Sequence, residues 1–182
     1  MINIYKLKLT NLQQGILRLL FVKAGTPLNQ RQIANFLEVS PPAVMKALPD
    51  LEKEALVKIK QDKETKRWSI QLNRDNYKML QLKRVDNLKL IYETGLADFL
   101  EKEFAGATII LFGSYSRGED TVTSDIDIAV IGRKDKQIDL TKCEKWLERQ
   151  VNINFYGSFK IIHRNLKENL FNGIILAGGV EL

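Results

Sequence analysis

The spacing of apolar positions changes along the chain and marks out its elements. Residues 2–9 alternate, with Ile2, Ile4, Leu7 and Leu9 set among lysines, which predicts a short strand. From Leu12 the period becomes helical: Leu12, Ile16, Leu19, Leu20 and Val22 share a face, Thr10 or Asn11 can cap the start, and Gly25-Thr26-Pro27 ends the run. Asn29 can cap a second, shorter helix from Gln30 to Leu37, with Ile33, Ala34 and Leu37 inward. Ser40 suits the cap of a third helix, about Pro42 to Ala55, with Val44, Leu48, Leu51 and Leu56 on one side. Pro49 falls inside it, removes a hydrogen bond and is expected to kink it. Then residues 57–60 and 67–72 alternate around a polar, charged stretch, which predicts a β-hairpin with a cationic tip.

The second half follows a different plan. Residues 73–93 contain few helix breakers, and Tyr77, Leu80, Val85, Leu88, Ile91 and Tyr92 predict an amphipathic helix. A shorter helix holds Leu96, Phe99, Leu100 and Phe104, and Gly106 closes it. Residues 107–112 are apolar and rich in β-branched side chains, as a buried strand requires, and residues 126–131 repeat the pattern. A helix is expected from Leu140 to Gln150, with Leu140, Cys143 and Leu147 on one side and Trp146 beside them. Residues 151–156 read as a third strand, 166–170 as a helix, and 174–179 as a last strand or a helix end.

Charge separates the two halves. Residues 1–80 hold 14 Lys/Arg against 7 Asp/Glu, whereas residues 106–182 hold 10 of each. A basic segment next to a neutral one points to a polyanion as partner of the first half, a basic solvated surface being the plainer account. No apolar run nears the roughly 20 residues that span a bilayer, and the N-terminus lacks the features of a signal peptide. A cytoplasmic protein without membrane contact is therefore expected. Cys143 and His163 are the only residues of their kinds, so neither an intrachain disulfide nor a multi-histidine metal site can form.

The densest chemistry lies between the first two strands of the second half. One strand stops at Gly113-Ser114, and Ser124-Asp125-Ile126-Asp127 opens the next. Residues two apart on a strand face one way, so Asp125 and Asp127 project together while Ile126, Ile128 and Val130 face the other side. Two carboxylates that close repel each other unless a cation sits between them. Hard oxygen ligands, with room for water and phosphate oxygens, suit Mg²⁺. Gly113 lets backbone approach a phosphate, and Ser114 can offer a hydroxyl and an amide, at what reads as the start of a short helix where anions are favoured. Arg117 can pair with phosphate, or fix the turn through Glu119 or Asp120.

Two resemblances follow from these motifs. The order helix, short helix, turn, helix, hairpin, with the segment LNQRQIANFLEVSPPAVMKALPDLEKEALVKI, resembles a winged helix-turn-helix over roughly residues 9–72. It implies that the helix starting near Pro42 enters the major groove of double-stranded DNA, with Ala43, Lys46 and Ala47 near the bases. Arg31, Lys60, Lys63, Lys66 and Arg67 are then candidate phosphate contacts. A protein-docking module is the alternative use of that fold. The stretch from Gly113-Ser114 to Asp125-x-Asp127 resembles the minimal nucleotidyltransferases of the DNA polymerase β-like superfamily, over roughly residues 96–182.

That second resemblance implies catalytic and Mg²⁺-ligating roles for Asp125 and Asp127, and nucleotide contacts from Gly113, Ser114, Arg117 and Ser124, with ATP the expected nucleoside triphosphate. It implies transfer of a nucleoside monophosphate to a hydroxyl of a protein or RNA. Such enzymes often act within toxin–antitoxin pairs, so a protein acceptor or a toxin-like partner is implied too. The family usually draws a third carboxylate from a later strand, and here Asn152 and Asn154 stand where it is expected. Asp139, Glu144 and Glu148 are the nearest acids in sequence.

The expected architecture is two domains joined by a helix. Residues 1–72 form an α+β winged helix-turn-helix, residues 73–94 the linker helix, and residues 95–182 an α/β mixed-sheet nucleotidyltransferase fold. The linker helix could also serve as a homodimer contact. Two functions fit: a nucleotidyltransferase coupled to a DNA-binding winged helix, or a non-catalytic, nucleotide-sensing transcriptional regulator with a degenerate transferase domain.

Overall fold

The computed structural model describes residues 8–64 and 66–180. Most of the strand expected over residues 2–9 lies outside the described residues. Two compact units follow one another, Met1–Met79 and Leu80–Leu182.

In the first unit, α1 (Asn11–Val22), α2 (Gln30–Phe36) and α3 (Pro41–Lys53) precede a hairpin of β1 (Val57–Gln61) and β2 (Trp68–Leu72). Each helix start has its own chemistry. Thr10 and Asn29 close capping boxes with Gln13 and Gln32, and the Ser40 hydroxyl accepts from the Ala43 amide at 3.3 Å. The helix α3 continues through Pro49. Ile16, Leu20, Ile33, Val44, Leu48, Leu51, Leu56 and Ile70 are buried together. Each such aliphatic side chain contributes roughly 1.5–3 kcal/mol. Leu28 exchanges two backbone hydrogen bonds with Ile70, 2.9 and 2.8 Å long, and so adds a third short extended segment to the hairpin. Helices α1 to α3, this bridge and the hairpin make the unit a winged helix-turn-helix.

The second unit is built on a mixed sheet of order β5-β4-β3-β6. The strands are β3 (Thr108–Phe112), β4 (Ile126–Ile131), β5 (Val151–Tyr156) and β6 (Ile174–Ala177). Strand β3 is antiparallel to β4 and β6, while β5 runs parallel to β4 after a crossover through α7 (Thr141–Leu147). The segment expected to end as strand or helix is the strand β6. One face of the sheet packs Ile109, Leu111, Ile126, Ile128 and Val130 against Leu100 and Phe104 of the region of α5 (Leu96–Glu103) and against Leu147. The other face packs Ile110, Ala129 and Ile131 against Phe159, Ile162 and Leu170, the last on α8 (Arg164–Phe171). Trp146 is 73% exposed, so it leaves the apolar side of α7 on which it was expected. His163 caps α8, its Nδ1 accepting from the Asn165 amide at 3.4 Å. Cys143 packs against the first core face, and burial pushes its thiol pKa up.

The long helix α4 (Tyr77–Glu93) corrects the sequence reading twice. It starts after Asn73 and Asn76, whose side-chain amides both donate to the Ala55 carbonyl at 2.9 Å and hold residues 73–76 in a turn. Its inward stripe is also a different one. Tyr77, Val85 and Tyr92 are exposed, whereas Met79, Lys83, Asn87 and Ile91, at every fourth position, are buried. Lys83 is 1% exposed and pairs with Asp120, which is equally buried. Burial pulls the Lys83 pKa below its ordinary value, and the Asp120 charge opposes that shift. Replacing Lys83 by Met would leave the Asp120 carboxylate buried and poorly compensated. We expect Lys83→Met to lower unfolding free energy by about 3–5 kcal/mol in urea titrations. A loss below 1 kcal/mol would show that the pair is not desolvated as described.

Candidate functional site

The acid pair sits where β4 begins. Asp127 is in register with Phe112 at the end of β3 and with Asn152 on β5. Asp125, just before the strand, lies on the same side as Asp127, and Ile126, Ile128 and Val130 turn into the opposite core, as the two-residue period requires. The loop before it is held by the Ser124 hydroxyl, which accepts from the Thr121 amide at 3.0 Å, while the Ser124 amide donates to the Thr121 carbonyl at 3.0 Å.

Gly113 opens α6 (Gly113–Arg117) with φ +75°. A Cβ there would stand 2.5 Å from Asp127 Oδ2. Glycine suits this position for two reasons, the positive φ and the carboxylate lying over it. Ser114 follows, half-buried, and the Ser116 hydroxyl donates to the Gly113 carbonyl at 2.9 Å. Of the two roles open to Arg117, the structure contains the turn-fixing one: its Nε donates to Glu119 Oε2 at 2.7 Å, at a partly exposed position. Asp120 instead faces inward, to Lys83.

Electrostatics mark the acid pair as a place that wants positive charge. The Asp127 pKa is raised, by burial first and by the neighbouring Asp125 charge second, with a hydrogen bond from Asn152 pulling it back. The Asn152 amide donates to Asp125 Oδ2 at 3.0 Å. An NH₂ group thus stands beside the acid pair, from the strand position opposite Asp127. Asn154 is one pleat further on, opposite Ala129. Glu144 and Glu148 border, with Ser124, Asp125, Arg149 and Gln150, a cavity of about 330 Å³. Glu144 is already engaged, accepting from the Val151 amide at 2.9 Å, and Asp139 accepts from the Thr141 amide at 3.0 Å. Among the described residues, no group of three acids, histidines or cysteines could hold a metal ion. A larger cavity, about 790 Å³, lies at the opposite end of the sheet, around Thr108, Ile131, Gly157 and Gly178. Size does not identify the site here, because the carboxylates and the Gly-Ser turn are at the other end.

Residues 94–176 match the family model of the nucleotidyltransferase domain. The second unit carries a nucleotidyltransferase domain. No curated protein matches the chain. Among solved structures, a complex of S. aureus MepR with DNA is 25% identical over 52% of this chain and 77% of its own, with a TM-score of 0.39. Wild-type Lactococcus lactis ZitR in complex with DNA is 24% identical over 58% of this chain and 68% of its own, with a TM-score of 0.41. Scores this low decide nothing about the present chain, whose winged-helix architecture rests on its own element order. The nucleotidyltransferase domain contains Gly113, Ser114, Arg117, Ser124, Asp125, Asp127 and Asn152 within the matched span. The match starts just after α4 ends, so the whole helix, Lys83 and Asn87 included, lies outside it.

In the winged-helix unit, Arg31, Lys46, Lys60, Lys63, Lys66 and Arg67 are exposed and Ala43 is half-buried. Ala47 is corrected: it is 8% exposed, packed inward with Val44 and Leu48, and cannot read bases. The exposed positions of α3 include Pro42, Lys46, Pro49 and Lys53, spaced four, three and four apart, with the acids Asp50 and Glu52 among them. Lys53 is an exposed cation of this helix that the sequence reading did not include. No described helix is long and apolar enough to cross a membrane.

The raised Asp127 pKa fixes a sign. A carboxyl with a raised folded-state pKa contributes most to stability below its unfolded-state pKa, and that contribution is lost as pH rises through the folded value. We expect Asp127→Asn to melt at a higher temperature than the parent protein at neutral pH in metal-free buffer. The difference should shrink as pH falls below the range in which free aspartate titrates. Calorimetry at several pH values checks this, and a variant that melts lower at neutral pH would refute it.

Proposed function

We propose that the chain binds a nucleoside triphosphate, ATP first, at Gly113-Ser114 and the Asp125–Asp127 pair, and slowly transfers its nucleoside monophosphate to a hydroxyl of a protein or RNA, the acceptor oxygen displacing pyrophosphate from the α-phosphorus and losing its proton. The observation that carries the proposal is the convergence of Gly113, Asp125 and Asp127 at one end of the sheet, with Asp127 raised by burial and by its neighbour. Two carboxylates with open surroundings fit Mg²⁺, which commonly keeps waters and shares its remaining positions with phosphate. Bound there, Mg²⁺ would supply charge neutralisation for the triphosphate during in-line attack. The domain's own residues would do the rest. Asp125 and Asp127 hold the metal. Gly113 gives backbone access, and Ser114 offers its hydroxyl and amide to phosphate. Ser124, whose hydroxyl secures the preceding turn, borders the same cavity. Arg117, bonded to Glu119 through Nε, would meet phosphate with its terminal nitrogens.

Asn152 argues for slowness. An amide is no base at neutral pH, and the loss of a general base typically costs about 10²–10⁴-fold in rate. The same observation favours the second reading, a nucleotide-sensing regulator without turnover. Labelled ATP with Mg²⁺ and cell extract separates them. Transferred label supports the enzyme, and bound ATP with no transfer supports the sensor. We expect Asp125→Asn to abolish Mg²⁺-dependent ATP binding in calorimetry with the fold intact; unchanged affinity would remove the metal assignment. We expect Asn152→Asp to raise the transfer rate by about 10-fold or more, as a regained base should.

For the winged-helix unit we propose duplex DNA as the partner, met by Ala43, Lys46 and Lys53 of α3 and by the cations of the hairpin, in a cytoplasmic protein. Exposed Arg31, Lys60, Lys63, Lys66 and Arg67 would neutralise phosphates, so affinity should fall steeply with salt. Lys63→Ala should lower the slope of log affinity against log salt by about 1. A flat salt response in gel shifts would favour a protein-docking module instead.

A further inference from the structure

Helix α4 lies wholly outside the matched nucleotidyltransferase span, yet residues 115–120 of the motif are built onto it. Gly118, at φ +74°, packs against α4 so closely that an added Cβ would stand 2.7 Å from the Arg84 amide nitrogen and against the Leu80 carbonyl. One turn along, the Asn87 amide donates to the Tyr115 carbonyl at 2.9 Å and to Asp120 Oδ1 at 2.7 Å. Lys83 adds an ion pair with the same Asp120 oxygen, and its ammonium lies 5.8 Å from the centre of the Tyr115 ring. On its far side Asp120 Oδ2 is 3.8 Å from Arg149 Nη2, in the segment that leads into β5 and borders the cavity beside Asp125. Lys83, Asn87, Asp120 and Arg149 are all at least nine-tenths buried.

We infer that Lys83 and Asn87 of α4 are positioning residues of the nucleotide site, setting the Gly113–Gly118 turn against the acid pair through Asp120 and the Tyr115 carbonyl. This rests on the nucleotide-binding reading above. The physical case is that the turn meets the sheet through apolar packing of Tyr115, while buried polar bonds join it to α4. Ser116 bonds back to Gly113, Arg117 and Glu119 bond each other at the surface, and α4 adds the directional, buried fastening through Asn87. A buried, fully desolvated network holds geometry more tightly than surface pairs, because opening any member leaves a polar group without water. The site then has two arms: the acid pair, fixed by the sheet, and the phosphate-facing turn, fixed by α4.

The test uses the full chain with Asn87→Ala, which removes the bonds to Tyr115, Asp120 and Lys83 and leaves the Lys83–Asp120 ion pair in place. Three quantities are measured: ATP affinity with Mg²⁺, Mn²⁺ affinity of the acid pair without nucleotide, and amide exchange of residues 115–118 without ligand. We expect ATP affinity to fall about tenfold, as the loosening of the turn by loss of these buried bonds allows. Mn²⁺ affinity should stay at the parent value and exchange at 115–118 should quicken. ATP affinity equal to the parent's overturns the inference. So does a parallel loss of Mn²⁺ and ATP affinity, which would make Asn87 merely structural. If the parent chain binds no ATP, the nucleotide reading fails by itself, and exchange still decides the positioning claim: unchanged exchange at 115–118 in Asn87→Ala overturns it.

Discussion

Two negative charges held side by side at the start of a strand are a constraint that the surroundings must answer. Strand geometry makes Asp125 and Asp127 neighbours, and partial burial denies them full screening by water. The nearby residues fit that demand. Residue 113 has no side chain, so Asp127 can lie over the turn. Strand β5 runs parallel and in register, which brings a hydrogen-bond donor, Asn152, to the pair. Parallel pairing in turn needs a long crossover, and α7 supplies it.

Local signals carried much of this. The caps at Thr10, Asn29 and Ser40, the alternation of the strands, and Gly113-Ser114 with Asp125-x-Asp127 are each written in a few adjacent residues, and the helix starts follow them. What failed depended on contacts distant in sequence. Helix α4 was read by its apolar residues, yet its inward stripe contains Lys83 and Asn87, buried because Asp120 is there to meet them. A polar residue at a core position cannot be told from a surface one until its partner is placed. Ala47 was taken for a groove residue, but small size suits a packed interface just as well. Trp146 shows the reverse, a large ring left outside. That Glu144 and Glu148 border the cavity beside Asp125 also needed the crossover, since it is the return of β5 that brings them there.

The two units use charge in opposite ways. In the winged helix-turn-helix the cations stand on exposed positions of α2, α3 and the hairpin, where salt screens them and solvation is nearly complete. In the second unit the informative charges are inside: Lys83, Asp120 and Arg149 form a network with almost no water access. Surface charge of the first kind can attract a polyanion over distance while adding little to stability. Buried charge of the second kind does little at a distance, but it makes the local geometry costly to change.

The register between β4 and β5 also bears on how such a chain could change over generations. Asparagine and aspartate codons differ by a single base, and Asn152 already faces Asp127 with its side chain reaching Asp125. On the proposed function, a lineage could therefore move between a site that chiefly holds a nucleotide and one that also turns it over, without moving the backbone and in one mutational step.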